Sequence, residues 1–93
     1  MSTFITQIED TQRGKTILRV EGSMELEDAI LLEKIALDMR STLNLPVILD
    51  FADLDFLDSE SAPVIKRLER FHKFEIEGME IFLQKVVNDT ERK

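Results

Sequence analysis

Between positions 50 and 58 the chain places Asp50, Asp53, Asp55 and Asp58 within nine residues and follows them at once with Ser59, Glu60 and Ser61. Clustered carboxylates are the raw material of a calcium loop or a phosphoryl-transfer site, and an adjoining serine is the raw material of a nucleophile. The spacing argues against each. Phe51, Leu54, Phe56 and Leu57 interrupt the acids, no glycine occupies the middle, and the bidentate Glu of a calcium loop is missing from the twelfth place. A phosphatase-type DxDx motif opening at Asp50 would need its second acid at position 52, which is Ala52. A catalytic serine needs a base within hydrogen-bond reach, usually histidine. The sole histidine, His72, lies thirteen residues beyond Ser59, roughly 20 Å along a helix at about 1.5 Å per residue. No triad is available, and His72 reads as a surface or boundary residue.

What remains is a serine displayed at the mouth of a helix. Ser59 there is first an ordinary cap, worth about 0.5–2 kcal/mol through a bond to an orphan amide. A helix N-terminus also welcomes a phosphoryl group, because its free N–H groups and its dipole both favour anions. Asp58 and Glu60 oppose that group: at ~6 Å and an effective dielectric of ~40, each repels a phosphate by roughly 2 kcal/mol. Phosphorylation would then act as a repulsive switch against an acidic partner surface, or Glu60 already supplies the negative charge.

Positioning such a residue requires a sheet and helices, and the apolar pattern supplies them. Phe4 to Ile8 and Lys15 to Glu21 are β-prone runs joined by a polar stretch containing Gly14, which predicts a hairpin. Gly22 breaks the pattern, and Glu25 to Thr42 carries apolar residues at 26, 29, 32, 36, 39 and 43, one face of a helix, with Ser23 or Glu25 near its start. Ile30 and Leu37 project roughly opposite that stripe, an arrangement that suits a partner or dimer surface. Pro46 ends the following turn, and Val47 to Phe51 reads as a central strand covered on both faces. A second helix comes after the aspartates, with apolar positions at 64, 65, 68, 71 and 72 or 74, and ends near the EIEG segment. Met79 to Leu83 reads as a fourth strand, and KVVNDTERK as a short helical turn or tail.

The order β-β-α-β-α-β predicts an α/β fold with about four strands, the last three parallel and the first antiparallel at one side. Functional residues in such sheets gather beyond the C-terminal ends of the strands. The Gly22 to Glu25 turn and the Asp/Ser segment should therefore meet at one end. At 93 residues the chain is expected to be a single domain, with its core over 3–84 and a short terminal helix or tail over 85–93.

Composition narrows the partners. The net charge of −7 without a basic cluster argues against nucleic acid and anionic lipid surfaces, and favours solubility or a basic protein partner. No apolar run approaches the ~18 residues of a membrane span, and the N-terminus MSTFITQIED has neither the basic start nor the apolar core of an export signal. Cysteine is absent, which removes disulfides and thiolate chemistry and fits the cytosol.

The runs VEGSMELEDA and VILDFADLDFLDSESAPVIKRL resemble the STAS domain, the fold of bacterial anti-sigma-factor antagonists. That family typically shows a glycine and an acidic residue after its second strand, an apolar third strand, an aspartate-leucine pair, and an Asp-Ser-Ser/Thr-Gly segment opening a helix. Gly22 and Glu25, Asp53-Leu54, and Asp58-Ser59 take those places, across residues 15–84. The resemblance implies a non-enzymatic cytoplasmic switch in transcription regulation, without cofactor or metal. Ser59 would be phosphorylated by an ATP-dependent kinase that is itself the anti-sigma factor. Gly22, Ser23, Met24 and Glu25 would form the docking surface together with Asp58, Ser59, Glu60 and Ser61. Family members also serve as subunits of larger complexes, such as ABC lipid-transport systems, where the same position supports binding without accepting phosphate. Here Glu60 replaces the second Ser/Thr and Ser61 the glycine, while Pro63 replaces a small residue. Pro63 disfavours helical geometry at Ala62, so the helix should begin a residue or two later than is usual in that family.

Overall fold

The hairpin forms where alternation and Gly14 predict it. In the computed structural model, which describes residues 3–43 and 46–82, β1 (Thr3–Asp10) pairs antiparallel with β2 (Lys15–Met24), from Thr3↔Gly22 through Asp10↔Lys15. Helix α1 (Leu26–Leu43) buries Ala29, Leu32 and Ala36 from the stripe read in the sequence. Its start carries one half of a capping box: the Asp28 carboxylate accepts the Glu25 N–H at 3.0 Å, and the Glu25 carbonyl accepts the first helical bond, from the Ala29 N–H at 3.0 Å. Leu37 packs partly against the core instead of projecting away from it, and Leu31 joins Ile30 on the exposed side.

Strand β3 (Val47–Asp50) runs parallel to the first half of β2, with Thr16↔Val47 through Arg19↔Asp50 in register. The chain then turns and re-enters the sheet as β4 (Leu54–Leu57), parallel to the second half of β2. One long strand thus carries two short parallel neighbours end to end. After α2 (Ala62–Arg70), β5 (Glu75–Glu77) pairs parallel with β3. Among the described residues the sheet has five strands, ordered β1-β2-β3-β5 with β4 beside β2.

Two expectations are corrected. The strand after α2 is Glu75–Glu77 and not Met79 to Leu83; residues 79–82 form a helical turn in which the Ile81 and Phe82 amides donate to the Gly78 carbonyl. Leu83 and the terminal stretch lie outside the described residues. Helix α2 ends at Arg70, before EIEG, because Lys73 adopts φ 63° and the Phe74 amide folds back to the Leu68 carbonyl at 3.0 Å. Phe71, given a core position on that helix, is consequently exposed. The expectation that β3 is covered on both faces holds, since Val47, Ile48 and Leu49 are all buried, although the described helices lie on one face only.

On the helix face Leu18, Val20, Val47, Leu49, Leu54, Leu32, Ala36 and Leu68 form one apolar core. On the other face Ile48 is also fully buried, yet it stands outside that core. Lys15 and Arg13 reach across this face to Glu75 and Glu77 at 3.2 and 2.8 Å, so long paired side chains roof the sheet where no described helix does. Between the helices, Arg67 holds Glu33 with two bonds of 2.6 and 2.7 Å, and His72 Nε2 lies 3.3 Å from the same carboxylate. Arg40 stacks over Phe74 at 4.1 Å from the ring centre and donates to the His72 carbonyl, which fastens the α2–β5 turn to α1.

Candidate functional site

The end of β2 and the end of β4 lie side by side. Ser23 pairs with Phe56 and Met24 with Leu57, and the Asp58 amide donates to the Met24 carbonyl at 3.1 Å. The two segments expected to share one end of the sheet therefore do so. Gly22 makes the junction: it adopts φ 90°, in the region that favours glycine, at the point where the β2–β4 register shifts.

Asp58 organises the turn that leads from β4 into α2. Its Oδ1 accepts both the Ser61 N–H at 2.8 Å and the Ser61 hydroxyl at 2.6 Å. The backbone amides of Leu26, the first residue of α1, and of Glu60 also favour its charged form. One carboxylate thus serves the mouths of both helices. The Ser61 hydroxyl, with further help from these amides, holds the Asp58 carboxyl below its ordinary range although partial burial opposes the shift.

The bonds redistribute the roles expected of the serines. Ser61, not Ser59, is the residue directly before α2, and it makes no capping bond with its own side chain. The capping carboxylate is that of Asp58, three residues earlier, which closes a turn through Ser59 and Glu60. Pro63 occupies the second helical position, where its missing N–H leaves no bond unmade, and the helix takes in Ala62, the residue at which this proline is expected to disfavour helical geometry. Ser61 is completely buried, and Ser23 and Met24 are buried as well. Their side chains do not form a contact surface; they fix the strand end and the turn from inside. Glu25, Ser59 and Glu60 are exposed, and Asp58 and Gly22 are half-buried. Among the described residues the Ser59 side chain makes no hydrogen bond.

The resulting surface is acidic. Glu25, Glu27, Asp28, Asp58 and Glu60 line an open hollow between the two helix starts, together with Leu26. Phe56, 52% exposed on β4, adds an apolar residue to which the sequence alone assigns no role. Its type is visible in the sequence, but only the pairing with Ser23 shows that it lies beside the β2 end.

The other aspartates are employed separately. Asp50 Oδ1 accepts the Ala52 N–H at 3.0 Å and so closes the turn between β3 and β4. Asp53 faces Arg19 at 3.3 Å, and Asp50 faces the same guanidinium at 4.0 Å. Asp55 is exposed where the pairing of β4 skips a residue. Among the described residues no three His, Cys, Asp or Glu side chains converge to hold a metal ion. No described helix is long and apolar enough to cross a membrane.

No protein-family model matches the sequence, and no curated protein matches it. Among solved structures it is similar to a crystal structure described as the STAS domain of an antisigma-factor antagonist from Rhodobacter sphaeroides. The identity is 20%, the match covers 89% of this chain and 94% of the other, and the TM-score is 0.63. A likeness spanning nearly the whole of both chains, together with the β1-β2-β3-β5 strand order and the two helices on one face, makes this chain STAS-like in fold.

Proposed function

We propose that the chain is a non-enzymatic protein-docking switch of the anti-sigma-factor-antagonist kind, controlled by phosphorylation of Ser59. The observation that carries this is the contrast between Ser59 and Ser61. Two residues apart, one hydroxyl is exposed and the other is sealed beneath the turn against Asp58. The turn is fixed from within and offers a single serine to an incoming enzyme. The docking surface is the exposed part of the same end, with Glu25, Ser59 and Glu60 supplying side chains and Gly22, Ser23, Met24, Asp58 and Ser61 setting its shape. The partner is an ATP-dependent kinase that also acts as the anti-sigma factor, or another ATPase complex, with basic groups facing the acidic hollow.

A phosphate on Ser59 would stand on the turn that leads into α2, close to the helix N-terminus, which favours it, and beside Asp58 and Glu60, which repel it. The added phosphoryl group is bulky as well as charged, so a partner packed closely against the free hydroxyl has no room for it and is expelled. Intact-mass measurement of the protein isolated from its own cells tests this. One added phosphate on the wild type and none on Ser59→Ala is expected. An unmodified wild type, or a phosphate that survives Ser59→Ala, overturns the phosphorylation switch.

A second function is favoured by Glu60 and by the exposed pair Ile30 and Leu31 on α1. In it the same fold is a subunit of a larger assembly, such as an ABC lipid-transport system, and docks without any modification. Co-purification of one complex in equal yield with wild type, Ser59→Ala and Ser59→Asp would select this alternative.

A further inference from the structure

The outer edge of β1 has a definite hydrogen-bonding phase. Alternate residues of a strand direct their N–H and C=O groups to opposite sides. Thr16 donates its amide to the Pro46 carbonyl and Gly22 to the Asp53 carbonyl, so the even-numbered residues of β2 face β3 and β4. The odd-numbered ones therefore face β1, and the register joins Glu21, Arg19, Ile17 and Lys15 to Phe4, Thr6, Ile8 and Asp10. Thr3, Ile5, Gln7 and Glu9 accordingly direct their backbone groups outward, where no described strand pairs with them.

This edge has few of the features that discourage strand addition. It is eight residues long, unbroken in register, and carries no proline, lysine or bulge. Phe4 stands on the roofed face of the sheet with Thr6 and Ile8, and it is 62% exposed. A large apolar side chain beside an unpaired strand edge fits a strand-to-strand interface.

We infer that β1 pairs antiparallel with β1 of a second copy about a two-fold axis at Thr6, joining two sheets into one. Three requirements set the register. Outward residues must oppose outward residues, which restricts opposed positions to even sums. A sum of 14 sets Phe4 against Asp10, and a sum of 10 leaves Ile8 unmatched. A sum of 12 sets Phe4 against Ile8 twice, Thr6 against Thr6, Ile5 against Gln7 and Thr3 against Glu9. Every outward N–H and C=O of these residues then gains a partner, and the Phe4 and Ile8 pairs fall at the closely spaced, non-hydrogen-bonded positions. No carboxylate opposes another, because Glu9 meets Thr3 and Asp10 lies beyond the paired stretch. On the helix face Gln7 and Glu9 are exposed, so no described element overhangs the approach. The pairing is independent of the role assigned to Ser59.

The chain has no cysteine, so single-cysteine variants read the register directly. Thr6→Cys puts two thiols on the axis at a Cα separation of about 4.5 Å, within the disulfide range. Gln7→Cys leaves its two copies displaced along the strands and beyond about 7 Å, where no bridge closes. The expected result is rapid covalent dimer formation by Thr6→Cys under mild oxidation and little by Gln7→Cys. Light scattering of the wild type should show the molar mass rising toward twice the chain mass with concentration. Phe4→Glu should remain at the monomer mass with an unchanged circular dichroism spectrum. Gln7→Pro gives a second control, since it removes an outward amide while leaving the β1–β2 ladder intact. A wild type that stays monomeric up to millimolar concentration, or Gln7→Cys linking as fast as Thr6→Cys, overturns the proposal.

Discussion

Asp58 and Ser61 show how a single carboxylate fixes the turn between β4 and α2. Because the folded structure stabilises the charged form of Asp58, its carboxyl titrates lower in the folded protein than in the unfolded chain. A depressed carboxyl contributes stability that is fully present above the unfolded value of about 4 and is lost as the pH falls through the folded value. Thermal melts of wild type and Asp58→Asn between neutral pH and about pH 3 should therefore converge in acid, with wild type the more stable at neutral pH. Equal separation at all pH values would show that the charge of Asp58 is not what holds the turn. Ser61→Ala removes a buried hydroxyl from the same bond and should cost about 1–2 kcal/mol in denaturant unfolding. Ser59→Ala, at an exposed position with no bond to lose among the described residues, should cost less than about 0.5 kcal/mol. The types and spacing of Gly22, Asp58 and Ser59 make them recognisable in the sequence. They do not separate the two serines, since both lie close to the start of an amphipathic run. Which one is covered depends on the Asp58 bonds and on Pro63, and these are settled in three dimensions.

Elements whose apolar period was clear formed where the period placed them. The α1 stripe buries Ala29, Leu32 and Ala36, and the β1–β2 hairpin has a continuous register. The two short strands were not legible for separate reasons. In Leu54–Leu57 an extra residue interrupts the alternation, so a segment that pairs with β2 looks like a loop. In Glu75–Glu77 only Ile76 is apolar, and the flanking glutamates face Lys15 and Arg13 on the roofed side. Met79 to Leu83 is more apolar, but a short apolar run does not distinguish a strand from a buried helical turn. Gly78 decides between them. Its φ of 77° starts the turn, and a Cβ there would stand 2.4 Å from the Ala52 nitrogen and 2.6 Å from Asp50 Oδ1. Gly78→Ala must bear both the left-handed backbone, at roughly 1–2 kcal/mol, and a clash with backbone that cannot easily give way. A fall in Tm of at least about 4–8 °C is expected. A variant as stable as wild type would mean that the β3–β4 turn shifts freely, contrary to the contacts around Asp50.

At the scale of the molecule, the chain solves an asymmetric packing problem. Helices cover one side of the sheet, while the other side has a fully buried isoleucine and a roof of charged side chains. Lys15 and Arg13 lie with their aliphatic stems available to cover Ile48 while their charged ends meet Glu75 and Glu77 in solvent. This explains why Val47–Asp50 reads as a strand buried on both faces although the described helices lie on one face only. It also leaves the roofed face thin, and apolar area at its edge, at Phe4 and Ile8, is available to a second sheet. The roof should therefore behave as core toward mutation and as surface toward salt. Ile48→Ala is expected to destabilise by about 2–5 kcal/mol, the usual cost of truncating a buried isoleucine. Lys15→Met keeps the aliphatic cover and loses only an exposed ion pair, so its unfolding midpoint should stay close to wild type and respond weakly to added salt. Guanidinium or urea unfolding of the two variants distinguishes burial from charge: a large loss with Lys15→Met and a small one with Ile48→Ala would make the ion pairs, and not the covered isoleucine, the source of stability on this face.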